Sequence, residues 1–257
     1  MSEIHIEKDG VIATVTLSNP GKLNAIDLSM WRGLAQTFKR LSSDDTLRCV
    51  VVTGADGNFA AGADIEEFSA VRSTFEEGVA YHTETIAQAL DAISGCMHPT
   101  VAAIEGVCVG GGLEIACACD IRIASPSSRF GIPINRLGFP LAPGELQGLL
   151  QLVGKAVALE ILLEGRVFDA AEAKEKGLLH RIADDARQEA SKTAARIAAG
   201  APLAARMHKQ LVRRFASQPA MLSEDELRAA FSFLDSEDYR EGVRAFLEKR
   251  KPDFTGR

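Results

Sequence analysis

Three consecutive glycines close an apolar run at Val107-Cys108-Val109-Gly110-Gly111-Gly112-Leu113-Glu114. Glycine loses more backbone freedom on folding than any other residue, so the triplet constrains the fold where bare backbone is needed. A short apolar helix is predicted over 113–118, with Glu114 in its first turn. A helix start offers unpaired N–H groups and the positive end of a dipole. An N–H delivered by glycine can sit against a substrate oxygen that becomes negative during reaction. Glu114 can then work beside it as acid or base. A tight strand-to-helix turn with a solvated Glu114 fits the same motif, because short glycine motifs recur by chance.

A second segment repeats the device. Arg48-Cys49-Val50-Val51-Val52-Thr53 is apolar and β-branched, as a buried strand requires. Phe59-Ala60-Ala61-Gly62-Ala63-Asp64-Ile65 follows. Its small residues leave backbone amides accessible, and Asp64 can cap a following helix. Two amides converging from two loops would make an oxyanion hole; equally, one loop could merely pack against the other.

Around these segments the chain alternates strands and helices. Residues 4–7 and 11–17 alternate about Asp9-Gly10, which predicts a hairpin. Asp27 or Ser29 can cap a helix that carries Trp31, Leu34, Phe38 and Leu41. A longer helix is predicted over 74–93, with Thr85, Ala89 and Ile93 on one side, then strands over 99–104 and 120–124. From Gly144 onward the pattern is mostly helical, with capping-box starts at Asp169 and Ser223. An α/β body to residue 197 and a helical region over 198–257 are the expected divisions. The closing basic cluster, Lys249-Arg250-Lys251, suits either the end of a helix dipole or a phosphate-binding rim.

The chain has 257 residues, 25% of them charged, with a net charge of -6. The negative balance argues against a nucleic-acid surface. No stretch reads as some 20 uncharged apolar residues, so no membrane span is expected. The start, Met1-Ser2-Glu3-Ile4-His5, shows no secretory pattern. Cys49, Cys96, Cys108, Cys117 and Cys119 are odd in number and form no C-x-x-C pair. Reduced, buried thiols in a cytoplasmic protein are expected. The five histidines are scattered without ligand spacing, so no metal site is expected.

Asn24-Ala25, the 59–65 loop, Gly110-Gly111-Gly112-Leu113-Glu114, Cys119-Asp120-Ile121-Arg122 and Phe246-Leu247-Glu248-Lys249-Arg250 together resemble the enoyl-CoA hydratase/isomerase, or crotonase, family. The resemblance runs over nearly the whole chain. It implies an α/β fold, a crotonase-like spiral of ββα units with a C-terminal helical region that builds a homotrimer or a dimer of trimers. It implies an acyl-CoA thioester substrate and no separate cofactor, coenzyme A being part of the substrate. The thioester oxygen would be held by the N–H groups of Ala63 and Gly111, with Glu114 as the proton-transfer group. The implied substrate contacts are Lys22, Ala25, Ala61, Gly62, Asp64, Ile65 and Gly110, then Ile134, Leu137 and Phe139. Phe246 and Lys249 would come from a neighbouring subunit.

One position departs from the pattern. Family hydratases place a second glutamate after a proline, and here Pro133 is followed by Ile134, which transfers no proton. Three explanations stay open: Glu114 acts alone in another reaction such as a double-bond shift, a second carboxylate comes from elsewhere, or acyl-CoA is bound and turned over poorly. Glu145, in Ala142-Pro143-Gly144-Glu145, is the candidate for the second; an acid in the first turn of a helix is also favourable in itself. Arg136 fits either an acidic acyl group or plain surface exposure.

Overall fold

Residues 1–217 and 223–257 are described by the computed structural model, apart from the side chains of Ser217, Leu227, Ala230 and Phe246. Alternation about Asp9-Gly10 folds as expected. Strands β1 (Glu3–Asp9) and β2 (Ile12–Ser18) pair antiparallel with Asp9 opposite Ile12. Gly10 turns the corner at φ 55°. Asp27 caps α1 (Leu28–Ser42), accepting from the Met30 N–H at 2.8 Å. The helix buries Trp31, Leu34, Phe38 and Leu41 along one stripe.

The chain then repeats a strand, a second short strand or bridge, and a helix. β3 (Cys49–Gly54) runs into the small-residue loop, whose Ala60 and Ala63 form bridges with Cys108 and Ile26. Asp64 caps a 3-10 turn (Ile65–Glu67), followed by α2 (Phe68–Val71). α3 (Phe75–Ala80) continues through a π turn (Tyr81–Ile86) into α4 (Ala87–Ser94). The next unit is β4 (Thr100–Ile104), β5 (Val107–Val109) and α5 (Gly111–Ala118). The third is β6 (Ile121–Ala124), β7 (Arg129–Gly131), a 3-10 turn (Pro133–Leu137) and α6 (Pro143–Glu164). β8 (Phe168–Asp169), α7 (Ala170–Glu175), β9 (Arg181–Ile182) and α8 (Ala186–Ala198) close this part. α9 (Pro202–Ser217), α10 (Glu224–Phe231) and α11 (Glu237–Leu247) complete the chain.

Two sheets result. The larger has the order β1-β2-β3-β4-β6-β9, parallel after its first pair; the smaller has the order β5-β7-β8. Each parallel pairing needs a crossover, which the helices supply. The main core lies between the larger sheet and α1, α4 and α5. On the opposite face Ala190 and Ala194 of α8 pack on Cys49, Val51, Val101, Ala103 and Ile123. β3 and β4 are therefore buried on both faces, which explains their unbroken apolar sequences. All five cysteines are buried and free.

Three features differ from the sequence expectations. The helix over 74–93 contains the π turn, which has no signature in apolar spacing. Strands β5 and β7 to β9 were not foreseen, being two or three residues long. α6 has 22 residues and is long and apolar enough to cross a membrane by length and composition. No such stretch was expected, because Glu145, Lys155 and Glu160 interrupt it. Its path also breaks at Gly154, at φ 70° and ψ 174°.

Candidate active site

The two small-residue loops meet side by side. Ile26 N–H donates to the Gly62 carbonyl at 2.7 Å, and Asp64 N–H donates to the Ile26 carbonyl at 2.9 Å. A parallel bridge of this kind uses the groups flanking Ala63, so the Ala63 N–H points away from Ile26. Beside it, Ala60 N–H donates to Val107 O at 2.9 Å and Val109 N–H donates to Ala60 O at 3.1 Å. Gly111 opens α5, where an N–H has no intrahelical carbonyl to meet.

Each glycine of the triplet has its own steric reason. Gly110 sits at φ 50° and ψ -126°, outside the regions open to residues with a Cβ. A methyl on Gly111 would lie 2.9 Å from Trp31 Cζ2 and 3.4 Å from the Ala63 nitrogen. A methyl on Gly112 would lie 2.3 Å from the Ala60 carbonyl oxygen. The triplet thus lets α5 begin against the neighbouring loop, and it brings Gly111 beside Ala63.

These residues border a pocket of about 620 Å³, solvent-open mouth included, with largely apolar walls. Trp31, Phe68, Ile86 and Leu141 contribute to those walls. Glu114 and Glu145 both line it, from α5 and from the first turn of α6. Glu114 is 7% exposed. Burial pushes its carboxyl well above the usual carboxylate range, and the nearby Glu145 pushes it further. The solvated alternative for Glu114 is thereby replaced by a buried acid. Tyr81, also at the pocket, is raised to about 12 by burial.

Glu145 is 5% exposed and is held by a partner that the sequence did not announce. His82 Nδ1 lies 2.6 Å from Glu145 Oε1. His82 Nε2 in turn lies 3.1 Å from Arg72 Nη1. The Arg72 guanidinium stacks at 3.7 Å from the Phe68 ring centre and 4.1 Å from that of Phe139. The π turn carries both Tyr81 and His82 to the pocket, and such turns are frequent at functional sites. Neither Arg72 nor His82 stands in a motif that spacing could reveal.

Among the other sequence candidates, Ala61, Gly62, Ile65 and Gly110 line the pocket near the converging loops. Ile134, Leu137 and Phe139 line it from the segment after β7. Lys22, Ala25, Asp64 and Lys249 are outside its lining. Lys22 Nζ is paired instead with Asp64 Oδ2 and Glu66 Oε2, each at 2.7 Å. These hydrogen bonds raise the pKa of the Lys22 ammonium. Asp64 caps the 3-10 turn, accepting from Glu66 N–H at 3.2 Å. Arg136 is exposed. The side chain of Phe246 is outside the described residues.

This arrangement brings the Ala63 and Gly111 backbone, a buried carboxyl with a raised pKa and a second carboxyl to one apolar pocket. It can move protons next to a carbonyl whose oxygen gains charge. The family model described as enoyl-CoA hydratase/isomerase matches residues 7–257. A probable enoyl-CoA hydratase of Mycobacterium bovis is 37% identical over 259 residues, covering 99% of this chain and 98% of the relative. The 2,3-dehydroadipyl-CoA hydratase of Escherichia coli is 31% identical over 260 residues, covering 100% of both. A crystal structure described as an enoyl-CoA hydratase/carnithine racemase from Magnetospirillum magneticum superimposes with a TM-score of 0.96 at 48% identity, over 100% of this chain and 97% of that one. The ββα units and the two sheets are those of the crotonase fold, and the chain belongs to the enoyl-CoA hydratase/isomerase family of enzymes acting on acyl-CoA thioesters.

Proposed function

We propose that this enzyme adds water across the double bond of a 2-enoyl-CoA thioester, with Glu114 and Glu145 as its acid–base pair. The observation that carries the reading is the presence of both carboxyls, 7% and 5% exposed, in one pocket where Ile134 leaves the usual second position apolar. Glu145 takes a proton from water as the oxygen bonds to the β-carbon. Glu114 gives its proton to the α-carbon. Proton exchange through solvent then restores both groups. Between these events the thioester oxygen carries enolate charge, and the Ala63 and Gly111 N–H groups stabilise that charge more than the ground-state carbonyl.

The reading needs no group beyond the coenzyme A of the substrate and is placed in the cytoplasm. It includes a homotrimer or dimer of trimers built through residues 198–257. Exposed Val212, Phe215, Val243 and Leu247 support an interface there. Lys22 would exchange its carboxylate partners for a coenzyme phosphate, and Lys249 would approach from a neighbouring subunit.

A second reading, migration of a double bond by one carboxylate, is favoured by Ile134 alone. The separating experiment follows the conjugated thioester absorbance of crotonyl-CoA and identifies products from crotonyl-CoA and a 3-enoyl-CoA. Loss of absorbance with formation of the 3-hydroxyacyl thioester is expected. Conversion of the 3-enoyl substrate alone, with crotonyl-CoA untouched, would overturn hydration.

A further inference from the structure

We propose that Arg72 and His82 are positioning residues that hold Glu145 as the hydrogen-bond-accepting, ionised carboxylate opposite Glu114. The inference rests on the reading of Glu145 as the second carboxylate and adds what fixes its protonation state. A guanidinium carries only donors. With Arg72 Nη1 at 3.1 Å, His82 Nε2 therefore has to offer its lone pair. The single proton of the neutral imidazole is then on Nδ1, 2.6 Å from Glu145 Oε1. Nδ1–H donates and the carboxylate accepts.

The alternatives are excluded by the same geometry. A protonated Glu145 donating to Nδ1 would put the ring proton on Nε2, against the Arg72 N–H. An imidazolium would make the same donor-to-donor contact and add two like charges. Arg72 is in turn fixed between the rings of Phe68 and Phe139, where the guanidinium gains cation–π attraction. The chain Arg72, His82, Glu145 thus joins the end of α2, the π turn and the first turn of α6.

The charged and titratable groups facing His82 come from four elements. They are Arg72 after α2, Glu145 of α6, Glu114 of α5 beyond it, and Tyr81 beside it on the π turn. Glu67 of the preceding 3-10 turn acts on Tyr81. Of these, only Arg72 and Glu145 hydrogen-bond to the ring. Removing Arg72 frees Nε2 to bind a second proton from solvent. The resulting imidazolium opposes the proton uptake that the reaction asks of Glu145.

The test is the pH dependence of kcat/KM for crotonyl-CoA hydration in wild type, Arg72→Met, Arg72→Met/His82→Asn and Glu145→Gln. Methionine keeps a stem between the two rings and removes every donor. Asparagine places an amide N–H where Nδ1–H stood and does not titrate. Arg72→Met is expected to show an added acid limb that the wild-type profile lacks. KM should stay within about threefold, an expectation for a residue acting on proton transfer rather than uniform binding. The double variant should lack the added limb. An Arg72→Met profile parallel to wild type, or a limb that persists in the double variant, would overturn the proposal. If Glu145→Gln is inactive while Arg72→Met parallels wild type, positioning fails and the hydratase reading stands. If Glu145→Gln turns over like wild type, the positioning proposal falls together with the role of Glu145 as second carboxylate.

Discussion

A methyl group on Gly112 would lie 2.3 Å from the carbonyl oxygen of Ala60, so these two loops are in direct backbone contact. The contact fixes where α5 begins. It also fixes the direction of Gly111 N–H relative to Ala63, since the two loops share the bridge between Ala60 and Cys108. The relative placement of Ala63 and Gly111 is therefore set by backbone packing, not by adjustable side chains.

The first prediction follows from that contact. The obstacle is the Ala60 backbone on a buried strand-like segment, which has little freedom to move aside. Gly112→Ala should lower the stability to unfolding by at least ~2 kcal/mol, within the range for overpacked cores. Urea unfolding checks it. An unchanged midpoint and slope would mean that the loops can separate at no cost.

A second prediction concerns pH and stability. Burial raises the folded-state pKa of Glu114 above its unfolded value. Between those two pKa values the folded chain holds more protons than the unfolded one, so stability falls as pH rises through this window. Glu114→Gln removes the titration. The variant should melt higher than wild type at pH 8, by on the order of 2 °C or more, and the gap should narrow toward pH 4. A gap that stays constant with pH would contradict a raised pKa for the buried Glu114 carboxyl.

Ile134 offers a third prediction, in two genetic backgrounds. It is half-buried and lines the same pocket as both glutamates. Ile134→Glu in wild type adds a third carboxyl to a site that already crowds two, and it should lower kcat by about tenfold, a modest share of an acid–base contribution. In Glu145→Gln the same change restores a second carboxylate and should raise kcat. Single-turnover measurements on the four proteins check the sign reversal. Equal effects in both backgrounds would separate position 134 from Glu145.

Much of the fold was legible because local signals agreed. The Asp9-Gly10 hairpin, the Asp27 cap of α1, the β-branched run of β3 and the glycine triplet at the start of α5 all appear where spacing and chemistry put them. The short strands were not legible. Two or three residues carry no periodicity, and β9 pairs with a strand distant in sequence, Arg181 opposite Ile123 of β6. The pocket was half legible. Loops of small residues announce exposed amides, and an acid such as Glu114 beside them invites a role. His82 and Arg72 announce nothing, since the link from His82 to Glu145 spans 63 positions and depends on a π turn. Lys22 shows the converse: its charge suggests a phosphate, while the fold pairs it with Asp64 and Glu66.

The central claim is that Glu145 supplies the second carboxylate in place of the residue missing at Ile134. Its most direct test is kcat for crotonyl-CoA hydration in Glu145→Gln, measured beside Glu114→Gln. Each substitution removes one general acid–base group, so each should lower kcat by about 10²–10⁴-fold while KM changes little. Turnover by Glu145→Gln within about threefold of wild type, with Glu114→Gln inactive, would contradict the account and leave Glu114 as the sole proton-transfer group.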